Sequence, residues 1–169
     1  QQDALGALCK QFAEQSQSGT IRLLNGPTGE RNSYSLLPRE HVLCLADIEA
    51  DLLIQLAAVL AVGSTAVVPE NDVSKPLRAR LPKEVQARIQ LIADWNKDEV
   101  VIDAVLHHGD SDQLRAICQQ VAKRAGAIVG VQGLSHGETN IALERLVIER
   151  ALSVNTAAAG GNASLMTIG

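Results

Sequence analysis

An α/β fold built on a mainly parallel sheet is what the sequence predicts, on three observations. Short apolar runs of strand type alternate with helical patterns through residue 132. Runs such as Val42-Leu43-Cys44-Leu45 are continuous, not alternating, as strands covered on both faces require. Residues 42–68 read as strand, helix and strand in succession, the unit that joins parallel neighbours. With right-handed crossovers these elements stack as a three-layer sandwich.

In the central unit, Asp47 is the expected N-cap, and Glu49 and Asp51 fall in the first turn, where the helix dipole favours carboxylates. Ile48, Leu52, Leu56, Val59 and Leu60 recur at helical spacing until Gly63 ends the helix. Thr65 to Val68 is small or β-branched and stops at Pro69, so it is the next strand. Before this unit, residues 1–18 place Leu5, Leu8, Phe12 and Ala13 at helical spacing, which predicts a connecting helix with a docked apolar face. Residues 21–24 form a short strand, Gly26 to Asn32 a turn-rich loop, and Tyr34 to Leu37 an apolar stretch broken at Pro38.

After it, residues 74–81 give a short helix with Pro76 early, where proline is tolerated, and residues 88–92 and 104–106 give strands. Asp110 or Ser111 caps a helix through Leu114, Ile117, Cys118, Val121 and Ala122 that closes near Gly126. Ala127 to Val131 is again a buried-type strand. Residues 133–142 are a polar linker. Residues 143–154 follow as a strand pair with Leu146, Ile148 and Leu152 on one face, although the Glu and Arg content also permits a helix. The final residues, 155–169, are too rich in small side chains to form a core and too apolar to be a solvated linker, so they are expected to pack on another surface.

Composition narrows the function. Aromatic residues make up 2%, namely Phe12, Tyr34 and Trp95, which leaves no platform for stacking single-stranded bases. Net charge is -4 and the Lys and Arg residues are scattered, so no nucleic-acid partner is expected. No apolar run reaches the length of a membrane span. No signal peptide is visible and the chain starts at Gln1, which predicts a fragment or a processed chain. Cys9, Cys44 and Cys118 lack CxxC spacing and read as reduced thiols of a cytoplasmic protein.

A pyrophosphate cradle needs glycines and free N–H groups at a helix N-terminus. The turn at Ala46-Asp47 has no glycine and sets a carboxylate there, and His107-His108-Gly109-Asp110 is again acidic at its helix start. Gly26-Pro27-Thr28-Gly29-Glu30 lacks the lysine of a P-loop. His107 and His108 are adjacent on a strand end, point oppositely and cannot easily share an ion, while His136 is expected in solvent. No thiol has a setting that lowers its pKa, apart from Lys10 beside Cys9. Catalytic, cofactor-binding and metal-ligating residues are therefore expected to be absent from this chain.

Residues 60–68, LAVGSTAVV, resemble the aldehyde dehydrogenase pattern in which an Ala-Leu-Ala-x-Gly-Asn-Thr-Val-Val run precedes a Lys-Pro-x-Glu cofactor loop. The loop is Pro69-Glu70-Asn71-Asp72 in this chain, without that family's ribose-binding lysine. His108-Gly109-Asp110-Ser111 stands where the family carries a Thr-Gly-Ser turn. Residues 129–134, VGVQGL, stand for its Leu-Glu-Leu-Gly-Gly segment, with Val131 in place of the general-base glutamate. Only residues 133–142 separate that strand from the presumed flap, where a working member inserts its cysteine-bearing catalytic domain.

A narrower resemblance rests on GPTGERN at 26–32, LLPREHVLCLAD at 36–47, HGDSDQLRA at 108–116 and ERALSVNTAAAGGNASLMTIG at 149–169. These are similar to the C-terminal region of the bacterial proline utilization A family. That family fuses proline dehydrogenase to glutamate-semialdehyde (pyrroline-5-carboxylate) dehydrogenase, with FAD and NAD as the cofactors of the parent enzyme. The resemblance implies a connecting helix at 1–18, a Rossmann-like, non-catalytic domain at 19–142, and a β-flap with docking tail at 143–169. It implies a domain that covers the cavity through which the intermediate passes and supports the semialdehyde dehydrogenase module. Its partners would be the two catalytic modules of the same polypeptide, in a cytoplasmic parent that associates at most peripherally with the inner membrane. The docking residues would be Asn155, Thr156, Gly160, Gly161, Asn162, Leu165, Met166 and Ile168. A degenerate NAD-binding regulatory domain and a homo-oligomerisation module stay open as alternatives.

Overall fold

The fold follows from where each strand finds its backbone partners, in a computed structural model that describes residues 2–156. Five strands form a parallel sheet in the order β5-β4-β3-β6-β7: β3 (His41–Ala46), β4 (Thr65–Pro69), β5 (Ile89–Ile92), β6 (Ala104–His108) and β7 (Gly130–Leu134). The chain first builds β3, β4 and β5 outward to one side, then returns to lay β6 and β7 on the other. The order therefore reverses between β3 and β6.

The sheet is covered on both faces, as the continuous apolar runs require. Val42, Cys44, Ala66, Val68, Ala104 and Leu106 face one core, with Leu52, Leu56 and Val59 of helix α2 (Glu49–Val62) and Leu5 and Phe12 of α1 (Gln2–Gln15). Leu77 of α3 (Ser74–Arg80) joins that core, and a single turn, α4 (Lys83–Gln86), leads on to β5. Leu43, Val67 and Val105 face the other core, under Val121 and Ile117 of α5 (Ser111–Val121). Helix α2 ends as expected: Gly63 takes a left-handed φ of 94° and its N–H reaches Leu60 O, a conformation any Cβ would strain.

A second, antiparallel sheet has the order β1-β2-β8, with β1 (Ile21–Leu24), β2 (Glu30–Pro38) and β8 (Val147–Asn155). Strand β2 runs almost directly into β3. At that junction Arg39 is tied by its N–H to Leu146 O at 2.9 Å and by Nε to Arg145 O at 2.9 Å. The flap is thus clamped where it leaves the α/β body.

Several expectations are corrected. Asp47 does not cap α2; Ile48 holds the N-cap position, and Asp47 turns its carboxylate to Gln113 Nε2 at 3.1 Å. The last parallel strand begins at Gly130, not Ala127, because its register is set by pairing with β6, and Ile128 is left 99% exposed. Cys118, within α5, is exposed. Residues 143–146 form a 3-10 turn that buries Leu143 and Leu146, so Leu146 does not share the exposed setting of Ile148 and Leu152.

Candidate functional site

Two places in this architecture could act: the crevice at the carboxyl ends of the parallel strands, and the open face of the flap. Ligands of α/β sheets bind where the strand order reverses, which in this chain is between β3 and β6. A cavity of about 330 Å³ lies there, walled by Leu52, Val68, Trp95 and Ile117 and edged by Asp47, Asn71, His107 and Gln113.

The polar groups of the crevice largely hold one another. Asp110 caps α5 by accepting the N–H groups of Asp112 at 2.9 Å and Gln113 at 2.8 Å, and Gln113 Oε1 accepts the Asp110 N–H at 3.1 Å. The same Gln113 then donates Nε2 to Asp47 across the crevice mouth. Gly109 offers no open cradle: a Cβ there would lie 2.3 Å from Gln113 Oε1 and 2.6 Å from His107 Cε1, so these side chains already fill the space. No Lys or Arg lines the cavity among the described residues. It therefore presents a carboxylate and no cationic side chain where a pyrophosphate needs positive charge and free donors.

The adjacent histidines part company as the strand pleat predicts. His108, fully buried, turns toward α2, and its Nε2 bonds Glu138 O at 2.9 Å. A carbonyl only accepts, so Nε2 carries the proton and Nδ1 accepts from Gln55 Nε2 at 2.9 Å. His107 turns to the α5 side, where burial pushes its pKa down against the opposing pull of Asp47; its Nδ1 finds no partner. Cys44 is buried with its thiol pKa raised by burial, as is that of the half-buried Cys9. Among the described residues no group of three His, Cys, Asp or Glu is placed to hold a metal.

His136 is not simply solvated. Its Nδ1 lies 2.6 Å from Oδ2 of Asp51, a fully buried carboxylate in α2 that also accepts the Gly137 N–H at 2.8 Å. Burial raises the Asp51 pKa, but the His136 and Gly137 hydrogen bonds and the nearby His108 outweigh it and hold the pKa below the ordinary value. Gln132 meanwhile brackets Ala142, donating to its O and accepting its N–H, both at 3.0 Å. Loop 135–142 is thus pinned by buried polar side chains of the body. Asp51 and Gln55 were missed by sequence reasoning; two polar residues four apart inside an apolar helix were the available signal.

On the flap, pairing places Ile21 opposite Ser35, Ser33 opposite both Leu23 and Leu152, and Ile148 opposite Leu37. Directly paired residues share a face. Ile21, Leu23, Ile148, Leu152 and Val154 thus lie on one side, and they are 73%, 66%, 41%, 48% and 43% exposed. The other face turns Leu36 and Val147 inward and carries a Tyr34 O–H to Glu149 bond at 2.9 Å. Of the expected docking residues, Asn155 ends β8 opposite Glu30, and Thr156 donates its N–H to Gly29 O at 2.7 Å; both are exposed. Gly160, Gly161, Asn162, Leu165, Met166 and Ile168 lie outside the described residues.

These features define a class: the Rossmann-like sheet of aldehyde dehydrogenases with an antiparallel flap. Solved structures share the fold, including betaine aldehyde dehydrogenase of Staphylococcus aureus (TM-score 0.57, 14% identity, covering 78% of this chain and 29% of that one). A Bradyrhizobium japonicum proline utilization A variant matches at TM-score 0.59 and 19% identity, over 78% of this chain and 15% of that one. The particular kinship is to bifunctional protein PutA. The chain is 62% identical to the Escherichia coli K12 protein over 165 residues and 40% identical to that of Rhizobium meliloti over 151 residues. These matches cover 98% and 86% of the chain but only 12% of each relative, so the chain corresponds to about an eighth of the proteins it matches. No family model matches the chain. The resemblance to proline utilization A expected from the sequence is borne out.

Proposed function

We propose that this chain serves as a non-catalytic part of a proline-catabolic enzyme that converts proline to glutamate. In this reading its α/β body covers the cavity between the two catalytic modules. Its flap and tail support the semialdehyde dehydrogenase module of the same polypeptide. FAD and NAD act in those modules, in a cytoplasmic parent. The observation that carries the reading is the flap face: five large apolar side chains, between 41% and 73% exposed, line one side of a three-stranded sheet. Such a face on a structured sheet is a surface for a partner. The crevice supports the non-catalytic half of the reading, since Asp47 and the filled space at Gly109 disfavour a dinucleotide.

The test is made in the full-length parent. Leu23→Lys with Leu152→Lys puts two charges in the centre of the flap face without touching either core. Coupled proline-to-glutamate turnover should fall while proline oxidation alone persists; unchanged coupled turnover refutes the reading. A second copy of this chain is the competing occupant. A dimeric mass in solution that reverts to monomer in the double variant would favour oligomerisation instead. Saturable NAD binding by calorimetry would favour a regulatory nucleotide domain.

A further inference from the structure

The switch-point crevice has a chemistry that docking of the flap does not use. Its volume, about 330 Å³, is at the lower end of the range for small-molecule sites. The lining is one-sided: a carboxylate at Asp47, amides at Asn71 and Gln113, and no cationic side chain among the described residues. Trp95, the chain's single tryptophan, and Ile117 also line it. His107, nine-tenths buried and also lining the cavity, has an Nδ1 that meets no hydrogen-bond partner.

We propose that this crevice is a binding site for a small ammonium compound, its protonated amine set against Asp47 and its apolar or aromatic frame against Trp95 and Ile117. The carboxylate and the tryptophan ring both attract a cation, the first by charge-assisted hydrogen bonds and the second through its quadrupole. The same groups repel a phosphate or carboxylate ligand, so the site selects by charge sign. Burial lowers the His107 pKa and keeps the ring neutral, which spares an incoming cation a second positive charge. Asp47 stands in solvent, so the affinity is weak and depends on both walls together. The site stands apart from the flap reading: it concerns other residues and a different readout.

Trp95 makes the test direct, because all tryptophan fluorescence of the 169-residue chain comes from the cavity wall. Benzylamine, benzyl alcohol and benzoate are titrated at neutral pH at matched ionic strength. Benzylamine should change Trp95 emission saturably, with benzyl alcohol about 2- to 5-fold weaker, as loss of a solvent-exposed ion pair implies, and benzoate inactive. Asp47→Asn, a substitution at an exposed position, should weaken benzylamine by a similar factor and leave benzyl alcohol unchanged. Three outcomes overturn the proposal: no saturable response to benzylamine, an equal response to benzoate or benzyl alcohol, or full affinity in D47N.

Discussion

Replacing Asp51 with alanine tests a buried contact between groups far apart in the chain. The substitution removes a fully buried carboxylate that receives His136 Nδ1 at 2.6 Å and the Gly137 N–H at 2.8 Å. A hydrogen bond to a charged group contributes about 1.5–3 kcal/mol. The His136 side chain is 56% exposed, so its share is reduced by solvent screening, and about 3 kcal/mol is expected for the two together. In a chain of this size that lowers Tm by about 6–12 °C. Because the folded-state pKa of Asp51 is depressed, its contribution is complete above the unfolded carboxylate value near ~3.9 and is lost as pH falls through the folded value. Urea denaturation of wild type and D51A should therefore show a gap that is constant around neutrality and narrows as the pH is lowered below about 4. A gap under ~1 kcal/mol at neutral pH, or one that does not narrow in acid, would refute the pinning of loop 135–142 by this carboxylate.

Other outcomes follow from single contacts. Gly63→Ala should destabilise the chain by about 1 kcal/mol or more, measured by thermal unfolding, because φ at this position is 94°. Asp110→Ala removes the cap of α5 and should cost about 1 kcal/mol, with faster amide exchange in the first turn of that helix. Thiol titration of the folded chain should modify Cys118 first and Cys9 more slowly, while Cys44 reacts only after denaturant is added. Immediate reaction of all three would contradict the burial of β3. Leu23→Lys alone should change the stability of the isolated chain by no more than about 0.5 kcal/mol, since its side chain is already largely exposed in the fold.

The alternation of strands and helices, the capping of α5 by Asp110 and the end of α2 at Gly63 were all legible along the chain. Each depends on residues within a few positions of one another, where propensity and capping chemistry decide. Asp47 shows the limit of that logic. It is a good N-cap by type, but α5 brings Gln113 within 3.1 Å and takes the carboxylate across the crevice. The start of β7 was misplaced for a related reason, since apolar Ala127 to Val129 look like strand until β6 fixes the register at Gly130. His136 and Asp51 lie 85 positions apart, and nothing local marks them as partners.

By itself, then, the sequence determined the fold class, the order of elements and the kinship to PutA, because periodicity and motif identity are properties of neighbours in the chain. Only the tertiary structure decided which polar groups are buried together and which apolar face of the flap is left open. Those facts depend on strands far apart in sequence being laid side by side, where a shift of one residue exchanges the buried and exposed sets.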